Sequence, residues 1–201
     1  MAGLRRKPGQ YHHGQLKEAL ISAGRTLLEQ RGLHGFTLRE CARRARVSHA
    51  APAHHFHSVG DLLAEIAARG FDDLTAAMDA AAADIGDAAE RLVALGRGYV
   101  GFALSNKAVF QLMFNGDVHS EHNERVASAA KAAYARLTGA ISSVIPEGSP
   151  AAQQAMADLA WASVHGFAIL VLGDGRAGPA DPTFEHRLDC LLRAVVAAVS
   201  R

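Results

Sequence analysis

The chain has little cysteine. Cys41 and Cys190 are its only two in 201 residues. They stand far apart, each in a helix-like segment, which excludes a disulfide framework and a paired-cysteine metal site. Both are expected as reduced core residues of a cytosolic protein. Proline is also scarce, and four of the six prolines, Pro146, Pro150, Pro179 and Pro182, fall in stretches 146–150 and 173–182, which read as loops. No apolar run reaches membrane-span length; the longest, 167–172, is far too short. The basic residues 1–10 are not followed by the apolar core of a signal peptide. Strand-like alternation is missing throughout, which argues against a sheet. Around Trp161 and His165 no residue makes a nucleophile–base pair; Ser163 and His165 lie two apart, on different helix faces.

What remains is helical periodicity rich in Ala and Leu, so the expected fold is all-α. A first helix is predicted over 14–31, with Leu16, Leu20, Ala23, Leu27 and Leu28 on one face and Gly32 and Gly35 at its end. Thr37 and Glu40 are spaced as a capping box opening a short helix over 38–45. After a turn at Arg46 and Val47, Ser48 is placed to cap a third helix over 48–55. Ser58 and Asp61 form a second box, opening a long helix over 59–83. Further helices are predicted at 87–104, 107–115, 121–145, 150–172 and 183–200.

Charge divides this series. Residues 1–57 hold ten Lys/Arg against three Glu, a net of +7; with +1 for the whole chain, the rest carries −6. Seven of the eleven histidines lie in the same segment. A basic head on an acidic body points to a polyanion-binding module joined to something else. Two short helices joined by a tight turn are a helix-turn-helix. Small residues Ala50, Ala51 and Ala53 keep the third helix slim enough for a major groove about 12 Å wide. Thr37 and Ser48 sit at helix starts, where free N–H groups bind phosphate oxygens. Arg39, Arg46, His49, Ala50, His54 and His55 complete the surface expected to meet DNA, with His49 and His54 reaching base edges or phosphates. Arg5, Arg6 and Lys7 form an arm suited to a minor groove. Pro52, about four positions into the third helix, removes one early hydrogen bond and predicts a short reading helix.

The stretch from Tyr11 to about Ala67 resembles the DNA-binding domain of the TetR (tetracycline-repressor-like) transcription regulators. The likeness lies in the order of parts: a helix, the Gly35-Phe36-Thr37 start, a turn, Val47-Ser48, then His55-Phe56 before a capped long helix. The family commonly has Gly where Arg46 stands, an aromatic at Ala53 and Lys at Val59, so this chain departs from the pattern at three positions. Further on, YVGFALSNKAVFQLMF (99–114) and WASVHG (161–166) resemble the effector domain of the branch with a Trp-His-Gly signature, here Trp161, His165 and Gly166. The resemblance implies a helix-turn-helix domain over 1–57 and an effector-binding and dimerisation domain over 58–201. It implies a repressor that leaves a palindromic DNA operator when a small molecule binds, and a homodimer paired through 150–172 and 183–200. Tyr99, Phe102, Phe110, Met113 and Phe114, with Trp161 and His165, are expected to line or brace a pocket for a hydrophobic effector. No cofactor and no metal is expected. Two rival readings are a metal-sensing regulator, using His12-His13, His54-His55-His57 and His119/His122, and a small helical enzyme with His165 as general base.

Overall fold

The structure, a computed structural model, describes residues 13–116, 123–174 and 178–200. Among the described residues every regular element is helical: α1 (His13–Arg31), α2 (Leu38–Arg44), a 3-10 helix (Ala51–His54), α3 (Val59–Ala81), α4 (Ala88–Ser105), α5 (Lys107–Met113), α6 (Glu124–Val144), α7 (Pro150–Asp174) and α8 (Phe184–Val199). The chain forms two compact units that divide between Ile66 and Ala67, inside α3. Residues 13–57 and the first turns of α3 belong to one unit.

In the first unit α1 packs on α2 and on the 3-10 helix. Leu20, Leu27 and Leu28 of α1 are buried, as are Phe36, Cys41, Phe56 and Leu62. Gly24 allows α1 to approach α3 closely; a Cβ there would stand 2.8 Å from Ile66 Cδ1. Burial raises the Cys41 thiol to about 11, so it stays protonated and inert. Cys190 differs from the expectation of a core residue. The α8 stripe Leu188, Leu192, Val195 and Val199 turns inward, which places Cys190 on the opposite, exposed face with its Sγ 3.5 Å from His186 Nε2.

The second unit is organised around α4, which packs against α5, α6, α7 and α8. Asp87 caps α4 by accepting from Glu90 N at 2.8 Å, and Asn123 caps α6 through Val126 N at 3.2 Å. Two glycines set close approaches between helices. A Cβ on Gly98 would meet Ala77 O at 2.8 Å and the Met78 Cα at 2.9 Å, so the backbones of α3 and α4 touch there. A Cβ on Gly96 would collide with Leu192 Cδ2 of α8. Arg125 pairs with Asp72, and Arg136 Nε donates to Asp79 at 2.8 Å, tying α6 to α3.

Helix α7 is apolar on nearly every side. Ala157, Ala160, Val164, Ala168 and Val171 are buried, while Leu159, Ile169 and Leu170 remain exposed, the last to 66%. Its alanines extend the short apolar run into a helix, Pro150–Gly173, that is long and apolar enough by length and composition to cross a membrane. Lys107 Nζ donates to Leu172 O at 2.8 Å, supplying a cation at the C-terminal end of this helix.

Candidate functional site

The first candidate surface is built by the turn between α2 and the 3-10 helix. Thr37 opens α2 by accepting from Glu40 N at 3.1 Å. The reciprocal half of the box is not made, because the Glu40 carboxylate accepts instead from Arg43 Nε at 2.8 Å and Arg44 Nε at 3.3 Å. The hydrogen bond from Arg43 is the main reason Glu40 titrates at about 2. Ser58 and Asp61 make both halves: Asp61 N donates to Ser58 Oγ and Ser58 N to Asp61 Oδ2, each at 3.1 Å.

Helix α2 ends in a Schellman motif. Val47 N donates to Ala42 O at 3.0 Å and Arg46 N to Arg43 O at 3.2 Å. The motif needs its middle residue in the left-handed region, and Arg46 occupies it with φ 57°. A glycine fits that conformation without strain, which is the physical content of this departure from the family pattern.

The third helix is shorter and tighter than predicted. It is a single 3-10 helix whose N-cap is Ala50, not Ser48, and no side chain caps it. The cause is Pro52. It has no N–H to give to Ser48 O, and the bonds that form instead are Ala51 N to Ser48 O at 3.0 Å and Ala53 N to Ala50 O at 3.3 Å. Around this element Thr37, Arg39, Arg46, Ser48, His49, Ala50 and His54 are all exposed, while His55 is half-buried. The structure therefore gathers these residues on one short surface. Arg39 and Arg46 form no ion pair with another described residue, whereas Arg43 and Arg44 are engaged by Glu40. The expected arm, Arg5, Arg6 and Lys7, lies outside the described residues, as do His12, His119 and His122. Among the described residues no group of three or more His, Cys, Asp or Glu side chains is placed to hold a metal ion.

The second candidate site is a cavity of about 490 Å³ inside the second unit. Leu92, Leu95, Gly96 and Tyr99 line it from α4, and Ala130, Lys131, Ala133, Tyr134 and Leu137 from α6. Phe71, Leu74 and Met78 of α3, Phe114, then Ala160, Trp161 and Val164 of α7 and Leu192 and Val195 of α8 close the walls. Of the residues expected at an effector pocket, Tyr99, Phe114 and Trp161 stand on this wall. Phe102, Phe110 and Met113 are buried near it without lining it, and His165 lies behind Tyr99. Lys131, Tyr134 and the α8 leucine and valine were not anticipated. The stripe Ala130, Ala133, Tyr134 and Leu137, at i, i+3, i+4 and i+7, was the available signal.

An aromatic cluster surrounds His165. Phe114 stacks edge-on at 4.5 Å between ring centroids, with Phe110 at 5.6 Å and Trp161 at 5.9 Å. The Tyr99 hydroxyl is 2.8 Å from His165 Nδ1 and also interacts with the Trp161 side chain. The phenol oxygen can accept as well as donate, so the direction of its bond to Nδ1 follows the imidazole tautomer. Burial holds the imidazole below the usual histidine range, hence neutral near pH 7, and burial raises the Tyr99 phenol well above its ordinary value. The set is a hydrogen-bond chain that fixes ring orientations around the cavity.

Both halves of the chain are similar to known proteins. Residues 20–66 match the sequence model described as bacterial regulatory proteins, tetR family, and residues 92–194 match that of the tetracyclin repressor-like C-terminal domain. No curated protein sequence matches the chain. Among solved structures, a protein of unknown function from Rhodococcus sp. RHA1 is 31% identical over 98% of each chain, with a TM-score of 0.77. A transcriptional regulator from Rhodococcus sp. Rha1 is 23% identical over 92% of this chain and 98% of its own, TM-score 0.68. The multidrug binding protein EbrR, solved with imidazole, shares the fold at 18% identity, 89% and 93% coverage, and TM-score 0.57.

Proposed function

Because this chain belongs to the TetR family of bacterial regulatory proteins, with the family's C-terminal model alone matching more than half its length, we propose that it is a transcriptional repressor released from its DNA operator by a small molecule. The cavity of about 490 Å³ carries this reading. It falls within the usual range for small-molecule sites, and its walls are apolar with a few polar groups. Phe71, Leu74 and Met78 line it from α3, the helix that begins at Val59 beside the exposed turn. A molecule that favours one pose of α3 can thereby couple its own binding to that of DNA, typically by about 1–3 kcal/mol.

On this reading Arg39, Arg46, Ser48, His49 and His54 face the duplex, with Arg5, Arg6 and Lys7 as an added arm. Two copies pair through the outer faces of α7 and α8, where Leu159, Ile169 and Leu170 are exposed. A symmetric pair reads a palindrome with half-sites about one helical turn, roughly 34–36 Å, or a multiple apart. The protein acts where the DNA is, in the cytoplasm, and His165 orients Tyr99 and has no catalytic task.

Selection of bound sequences from a random DNA pool at stated salt should yield a palindrome, and log affinity should fall linearly with log salt. A protein that stays monomeric and leaves no footprint on any DNA at low salt would overturn the DNA part. Ligands titrated into the operator complex should bind more weakly than to free protein; equal affinity for both would overturn release.

A further inference from the structure

The polar groups of the cavity are not spread evenly along its length. Tyr134 Oη donates to Asp158 at 3.0 Å and Ser142 Oγ meets Gln153 Oε1 at 2.9 Å, so α6 and α7 run antiparallel. Arg97 Nη1 donates to Glu185 and Arg193 Nη1 to Glu90, at 3.1 and 3.0 Å, so α4 and α8 run antiparallel as well. Tyr99 meets His165, which sets α4 against α7. In this register Tyr99, Phe114 and Lys131 stand toward one end of the cavity, with Phe71 touching Phe114 at 5.6 Å. Leu92, Leu137 and Val195 stand toward the other. Both α4 and α6 line it over seven residues, a rise of about 10 Å.

Among the described residues Lys131 is the one charged residue on the wall, and no carboxylate lines it. It forms no ion pair or hydrogen bond with another described residue. The nearby Asp158 is occupied by the Tyr134 hydroxyl and by Gln154 Nε2 at 2.8 Å. An apolar tail and an anionic head match these two ends. Aromatic faces such as Trp161 and Phe114 also attract cations, but the ammonium of Lys131 opposes a cation at that end.

Resting on the reading of this cavity as the effector site, we infer that its ligand is a monoanionic amphiphile: a carboxylate at Lys131 on an apolar body about two helical turns long. Trp161 is the only tryptophan in the chain and lies on the wall, so its emission reports occupancy directly. The full-length protein is titrated with octanoate, 1-octanol and octyltrimethylammonium below their micellar concentrations. The same series is run on Lys131→Met and Lys131→Glu; Lys131 is exposed, so neither change disturbs the core. Octanoate should bind the parent protein about tenfold more tightly than the ammonium compound. Lys131→Met should remove the difference, Lys131→Glu should invert it, and octanol should bind all three alike. Equal binding of the three compounds by the parent, or an order unchanged in Lys131→Met, overturns the inference and leaves the cavity reading standing. Saturable binding of none of them overturns both.

Discussion

The two compact units place their candidate chemistry in opposite settings. In the first, Arg39, Arg46, His49 and His54 project from a turn that is two short elements thick, and the buried residues beneath them serve to hold that turn. In the second, the surface ion pairs Arg136–Asp79 and Arg193–Glu90 are peripheral, and the chemistry lies in a space that five helices and Phe114 leave unfilled. A surface site depends on local backbone geometry, so single caps and single φ angles govern it. A cavity depends on packing between segments far apart in sequence, so core volume governs it. Substitutions should therefore separate the two, and they do so with different magnitudes.

The largest expected effect is on packing. Phe110 is fully buried between Tyr99 and Phe114. Phe110→Ala should cost about 3–5 kcal/mol in denaturant unfolding of the second unit. If operator binding by the protein that remains folded fell equally, the separation would fail. Next is Gly96→Ala, whose Cβ must push Leu192 aside. It should cost about 1–3 kcal/mol and weaken octanoate binding, both measurable on the same sample. Thr37→Ala removes the cap of α2 and should cost about 1 kcal/mol in the first unit, visible as faster amide exchange in α2 and weaker DNA binding, with Trp161 emission unchanged.

Smaller still is Arg46→Gly. Relief of the left-handed conformation should stabilise α2 by up to about 1 kcal/mol, while loss of one cation lowers the salt slope of DNA binding by about 1. An unaltered slope would take Arg46 off the phosphates. The last test uses pH. Glu40 titrates at about 2 against an ordinary 4.5, chiefly through the hydrogen bond from Arg43. Its contribution is full above pH 4.5 and fades as pH falls toward 2. Glu40→Gln should flatten the acid limb of first-unit unfolding in that window; an identical limb would mean the Arg43 contact contributes nothing.

The same contrast explains what the sequence made readable. The box at Ser58 and Asp61 forms in full because its donors and acceptors are four residues apart or fewer. The box at Thr37 forms by half, because Arg43 and Arg44 compete for the Glu40 carboxylate, and a spacing rule holds no such competition. Ser48 loses its expected capping role to a proline four residues on, a local effect whose direction was legible and whose extent was not. In the cavity, Tyr99, Phe114 and Trp161 were visible as aromatics in two short motifs. Lys131 and Leu192 reach the same wall from helices whose register is set by Tyr134–Asp158 and Arg193–Glu90, contacts between residues at least 24 positions apart.

Gly98 brings the main chains of α3 and α4 into direct touch, with no layer of side chains between them. Most helix pairs meet through rotamers that can swing and absorb a small shift, like a cushion between two rods. Here the rods bear on each other. A displacement of α3 at Met78 is passed to α4 as motion of the chain itself, and the stiffness of that bearing rests on one missing methyl group.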